Sequence, residues 1–125
     1  MSKISQHFNS NEFACPCCGL NYDFDSLQSL TIPLEKIRND VGSPITITSG
    51  RRCFKHNDEL PDSVPNSQHV FGLACDIHAE TVSPMILAML ALRHGFRFIG
   101  IGSDYIHIDM RLYGADLRDS VVWHY

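Results

Sequence analysis

Two short segments of this chain sort their residues by parity, and that sorting limits the fold more than any other feature. In 73–78, Leu73, Cys75 and Ile77 fall on one side of an extended backbone, and Ala74, Asp76 and His78 on the other. In 105–110, Ile106, Ile108 and Met110 share one side, and Tyr105, His107 and Asp109 the opposite one. Each segment predicts a strand with one apolar face for a core and one face rich in His and Asp. Two such strands side by side can converge on a single ion.

Around them the chain reads as a sequence of regular elements. From Asp25 to Val41, Leu27, Leu30, Leu34, Ile37 and Val41 recur at three- and four-residue steps, which is helical spacing. Pro33 is expected to start or kink the second half, and Gly42-Ser43-Pro44 to end it. Ile45 to Thr48 is a β-branched strand. A long polar stretch, Gly50 to Gln68, contains Pro61 and Pro65, and a loop of that length in a small domain suggests function. Ser83 caps a helix with Pro84 in its first turn, and Gly95 stops it. That helix, Met85 to His94, is apolar nearly all round and is expected to be buried. Arg97 to Gly102 and Tyr105 to Met110 form a hairpin around Gly102-Ser103. The order predicts a single α+β domain over residues 1–125, with a central, mostly antiparallel sheet flanked by helices.

Composition excludes several function classes. The 125 residues can bury roughly two-thirds of their unfolded surface, enough for a core without disulfide staples. A net charge of −4, with no cluster of Lys or Arg, argues against capture of a nucleic-acid backbone. The N-terminus lacks the apolar run of a signal peptide, and the most apolar window, Met85 to Leu92, is too short to span a bilayer. The expectation is a monomer made in the cytoplasm without stable membrane association. Five cysteines, at 15, 17, 18, 53 and 75, are an odd number, which favours free thiols or metal ligation over a disulfide framework.

His69, Asp76 and His107 offer two imidazoles and a carboxylate, a donor set suited to zinc. Three protein ligands leave a fourth position for water, whose pKa the ion lowers toward ~7. A second carboxylate must then take the proton, and Asp104 is the candidate. It lies three residues before His107, so an unbroken strand would face it the wrong way. Only a turn at the head of the strand lets it swing over the ion.

These residues resemble peptidase family M15, the D-alanyl-D-alanine carboxypeptidases and L-alanyl-D-glutamate endopeptidases, especially short phage-type members. The resemblance rests on Ser67-x-His69-x-x-Gly72-x-Ala74-x-Asp76, on Asp104-x-x-His107, and on Ser49-Gly50-Arg51-Arg52, where the family usually has Tyr in place of Arg51. Phe8, Glu12-Phe13 and Cys15-Pro16-Cys17 also look like the family's N-terminus, and Trp123 with Tyr125 like its end. It implies the fold shared with the Hedgehog signalling domain, zinc on His69, Asp76 and His107, a base at Asp104, and Arg52 steadying an oxyanion or a substrate carboxylate. It further implies hydrolysis of an amide bond in the peptide stem of peptidoglycan by a phage or prophage lytic enzyme, acting on the wall after release. The rival is a non-catalytic zinc-binding or wall-binding module on the same fold.

Other residues carry weaker signals. Ser67, His56 and Trp123 are candidates for substrate contact, as is Asn57; solvation is the alternative for His56 and Asn57, and core closure for Trp123. Asp109 shares a face with His107 and can orient its imidazole, while His78 shares one with Asp76. Cys15 and Cys18 have C-x-x-C spacing, as in a zinc knuckle. Four ligands are needed and no second such pair exists, so Cys17, His7 or Cys53 would have to complete the set.

Overall fold

The computed structural model describes residues 3–61, 63, 67–110 and 120–125. Helix α1 (Phe24–Val41) begins where the Asp23 carboxylate accepts from the Ser26 amide at 2.8 Å, and Gly42 closes it. Leu27, Leu30, Leu34 and Ile37 line its buried face, as their spacing predicts. The helix runs through Pro33 without ending there. Proline removes the donor for the Ser29 carbonyl, but Ser29 is exposed and water can serve it.

Strand β1 (Ile45–Ser49) leads into the long polar stretch, which holds two short helices without a periodic signal of their own, α2 (Phe54–Glu59) and α3 (Gln68–Phe71). Pro65 lies outside the described residues. Strand β2 (Ala74–Ala79) follows, then helix α4 (Pro84–Arg93) and the hairpin of β3 (Phe98–Ile101) and β4 (Ile106–Asp109). A fifth strand, β5 (Val121–His124), goes beyond the elements that the sequence pattern predicts. Val121 and Val122 are both exposed, so no alternation marks them as a strand.

The five strands form one mixed sheet in the order β1-β2-β4-β3-β5. Its first three pairings are antiparallel, and β5 joins the edge parallel to β3. Helices α1 and α4 cover the face that carries Cys75, Ile77, Ile99, Ile101, Ile106 and Ile108, all buried with Phe8, Phe13 and Phe96. The expectation that α4 is buried all round is corrected. Leu87, Ala88 and Ala91 are buried, but Met85, Ile86, Met89 and Leu92 are exposed. The helix is an outer layer that touches α1 and the sheet along one stripe, where the small Ala88 and Ala91 allow close approach. No helix among the described residues is long and apolar enough to cross a membrane.

Candidate metal centre

The sheet's other face carries one row of residues through all five strands. Ser49 on β1 pairs with Asp76 on β2, Asp76 with His107 on β4, His107 with Gly100 on β3, and Gly100 with Trp123 on β5. Strand parity therefore delivers Asp76 and His107 side by side, as the sequence implied. His69 comes from elsewhere, the single turn of α3. Ser67 caps that turn by accepting from the His69 amide at 3.2 Å, and the Arg52 amide donates to the His69 carbonyl at 2.9 Å. Ser67 is buried, so it holds a ligand-bearing turn in place.

The three donors form a near-equilateral triangle. His69 Nε2 lies 3.0 Å from Asp76 Oδ1 and 3.1 Å from His107 Nδ1, and His107 Nδ1 lies 3.0 Å from Asp76 Oδ1. Each imidazole also points its other nitrogen at an acceptor. His69 Nδ1 meets the Gly50 carbonyl at 2.6 Å, and His107 Nε2 meets Asp109 Oδ2 at 2.7 Å. When the imidazoles are neutral and these outer nitrogens carry the protons, both inner nitrogens present lone pairs. Three lone pairs thus converge within hydrogen-bond distance of one another, in residues at most 8% exposed. A bound cation relieves that arrangement, and without one a proton on His107 Nδ1, donated to Asp76 Oδ1, does so in part. Zinc fits: bond lengths of about 2.0–2.1 Å in a tetrahedron set its ligand atoms about 3.3 Å apart, close to the edges seen. His69, Asp76 and His107 would hold it.

The electrostatics agree. Burial opposes ionisation of Asp76, but hydrogen bonds with His107 and His69 outweigh it and hold the carboxyl well below the usual carboxylate range. Burial would depress the His107 pKa, but its bonds to Asp109 and then Asp76 raise it above the ordinary histidine value. In the metal-free protein, charged His107 therefore adds stability below the unfolded pKa of about 6.5, and that contribution fades as pH rises through the raised value. A metal needs neutral His107, so protons compete with it over the same window. The rise in melting temperature on adding zinc is expected to shrink steadily from about pH 8 to about pH 5.5, read by thermal unfolding with and without the metal.

The remaining predicted residues are placed as follows. Arg52 faces the site: Nη2 reaches Asp76 Oδ2 at 3.4 Å, Nη1 reaches Asn57 Oδ1 at 3.2 Å, and Nε reaches Ser49 Oγ at 3.0 Å. Arg51 points away, stacking over Tyr22 and donating to the Val70 carbonyl. His56 and Arg52 line an open cleft of about 340 Å³, together with Asp76 and Tyr105. Trp123 lies beside His107, ring centroids 5.7 Å apart, and Tyr125 stacks on Tyr105. Gly100 makes room for them, since a Cβ there would come within 2.7 Å of Trp123 Nε1 and of Tyr125 Cε2. Burial, and next the Asp76 charge, push the Tyr125 hydroxyl up to about 12, so it stays protonated at neutral pH.

Asp104 stands apart from the triangle. It is exposed in the turn before β4, its carbonyl accepts from His78 Nδ1, and the cleft wall beside it is formed by Tyr105. His78 thus anchors that turn; its other nitrogen meets Glu80 at 3.1 Å. Two further side chains hold the site. Asn57, buried on α2, fixes Arg52, and the Tyr22 hydroxyl bonds both the amide and the carbonyl of Ala74 at the head of β2. Neither belongs to a spacing pattern.

The profile of the family described as Peptidase M15 matches residues 6–109. The chain belongs to peptidase family M15. A search of curated proteins gives no significant match. The M15 span includes all three triangle residues, Arg52 and Asp104, and ends at Asp109, so the aromatic wall on β5 lies beyond it. M15 membership implies hydrolase chemistry at a metallopeptidase site, and the His69-Asp76-His107 triangle is where this M15 chain can hold the metal.

Proposed function

We propose that this protein hydrolyses an amide bond in the peptide stem of bacterial peptidoglycan, of the D-Ala-D-Ala carboxypeptidase or L-Ala-D-Glu endopeptidase type, as a phage or prophage lytic enzyme. The observation that carries the proposal is the triangle of inward lone pairs opening on a cleft beside a half-buried arginine. Bound zinc supplies Lewis acidity and a water of lowered pKa. The protein's own groups do the rest. Arg52 spends three donors on Ser49, Asn57 and Asp76 among the described residues, and a guanidinium has five. The remainder can receive a carboxylate, which stem peptides carry at their termini and on D-glutamate, or steady charge developing on the scissile carbonyl oxygen. Trp123 and Tyr105 offer flat apolar surfaces for the peptide. Asp104 accepts the proton and returns it to the leaving amine.

Asp104 is also where the rival reading is decided. Its exposure suits a zinc-holding wall-binding module that needs no base. Asp104→Asn is expected to keep zinc and lose about 10²–10⁴-fold of the hydrolysis of purified cell wall. Mass spectrometry of the released muropeptides, with and without chelator, identifies the bond. Undiminished hydrolysis by the variant removes Asp104 from the mechanism. Absence of any cleavage by the zinc-loaded wild type favours the binding module.

A further inference from the structure

A second cluster of metal-binding side chains lies outside the triangle. Cys15, Cys18 and Cys53 bring their sulfurs within 4.8 Å of one another, although 38 residues separate Cys15 from Cys53. Cys17 lies between Cys15 and Cys18 in the same run and is exposed. Cys15 and Cys53 are 3.7 Å apart at sulfur. A disulfide would need about 2.05 Å. A tetrahedral zinc with bonds of about 2.3 Å to sulfur spaces its ligands by about 3.8 Å. The observed separation is that of a thiol–thiol hydrogen bond, and it also fits two ligands on one ion.

The local backbone is built for the same purpose. The Gly19 amide donates to the Cys15 carbonyl at 2.8 Å, and the Cys15 amide to the Leu20 carbonyl at 2.7 Å, which folds Cys15-Pro16-Cys17-Cys18-Gly19 into a tight knuckle. Cys53 approaches from the N-cap of α2, where its sulfur accepts from the His56 amide.

We propose that Cys15, Cys17, Cys18 and Cys53 form a second, structural metal site for zinc or another thiophilic tetrahedral ion. Four thiolates leave no open position, so this site does no hydrolysis. Its work is mechanical. It fastens the segment before α1 to the start of α2, and both build the cleft: Pro16 lies within the knuckle, Arg52 precedes Cys53, and His56 follows it. The Arg51 amide already donates to the Phe13 carbonyl at 2.8 Å, so the metal closes a junction that the backbone begins.

Zinc content and sulfur ligation test this. The 125-residue protein purified with zinc is expected to hold about two ions per chain, and His69→Ala/His107→Ala about one. Zinc absorption-edge spectra of the wild type should contain a sulfur shell at about 2.3 Å beside the nitrogen and oxygen shell at about 2.0–2.1 Å. That measurement needs no variant, so a misfolded mutant cannot decide the matter. Cys17 and Cys18 are exposed and would react readily as free thiols, so their alkylation, mapped by mass spectrometry, should require prior chelation. Three results overturn the proposal: zinc bound by nitrogen and oxygen alone, rapid alkylation of Cys17 and Cys18 in the zinc-loaded protein, or a Cys15–Cys53 disulfide in place of sulfur-bound zinc.

Discussion

His107→Ala is expected to lose zinc at the triangle and to lower hydrolysis by about three orders of magnitude or more. The metal contributes several kcal/mol of transition-state stabilisation, and each 1.36 kcal/mol is about tenfold in rate. Alanine also breaks the contact with Asp109, which would be left buried without the imidazole it holds in place. Asp76→Asn separates chemistry from packing. It keeps the shape of the side chain but removes the charge and can place an N–H where a lone pair stood, so the same loss of zinc and activity should follow in a chain that still folds. Zinc titration against a competing chelator and a cell-wall turbidity assay read both effects. Retention of as many zinc ions per chain as the wild type by either variant would show that the triangle is not the site.

Gly50→Ala should damage fold and site together. A Cβ at this position would lie 2.4 Å from the Phe13 carbonyl oxygen and 2.6 Å from the Phe13 Cα, and backbone atoms have no rotamer with which to escape. Phe13 is fully buried, so the strain passes into the core. Overpacking of this kind costs about 1–3 kcal/mol. The Gly50 carbonyl also fixes the His69 ring, and disturbing such an orienting bond typically lowers metal affinity by about 10–100-fold. Denaturant midpoints and zinc affinity should therefore fall together. Gly72→Ala is the control, because its closest contact is the far end of the Gln68 side chain, which can rotate aside. A Gly50→Ala variant as stable as wild type would mean that the 13–50 junction is looser than drawn.

What could be read from the sequence followed local periodicity. The face of α1, the strands β1 to β4 and the pairing of Asp76 with His107 all come from repeats of 3.6 or 2 residues, which the backbone enforces. Asp109 beside His107 is the same arithmetic over two residues. What escaped depended on contacts between distant segments. β5 lies at the sheet's edge with Val121 and Val122 both exposed, and its parallel pairing is with β3, not with a neighbour in sequence. The exposed side of α4 could not be told from a buried one by composition. The sequence names Arg52 and Cys53 as candidates, but the bond from buried Asn57 that turns Arg52 inward and the 38-residue closure of Cys53 on the knuckle are contacts that no local pattern shows. Asp104 is the instructive case: three residues before His107 places it in a turn, and a turn residue's direction is set by what anchors it, here His78.

The three metal ligands do not stand on equally firm ground. Asp76 and His107 sit on β2 and β4, strands hydrogen-bonded on both sides within the sheet, and their backbones can move only if the sheet opens. His69 sits on a single helical turn of four residues, held by one cap and the Gly50–Arg52 crossing. Local unfolding of that turn costs far less than unfolding the sheet. Exchange of a bound ion with its surroundings is therefore expected to run through a hinged door at His69, with the lifetime of the loaded site set by the few hydrogen bonds that latch it.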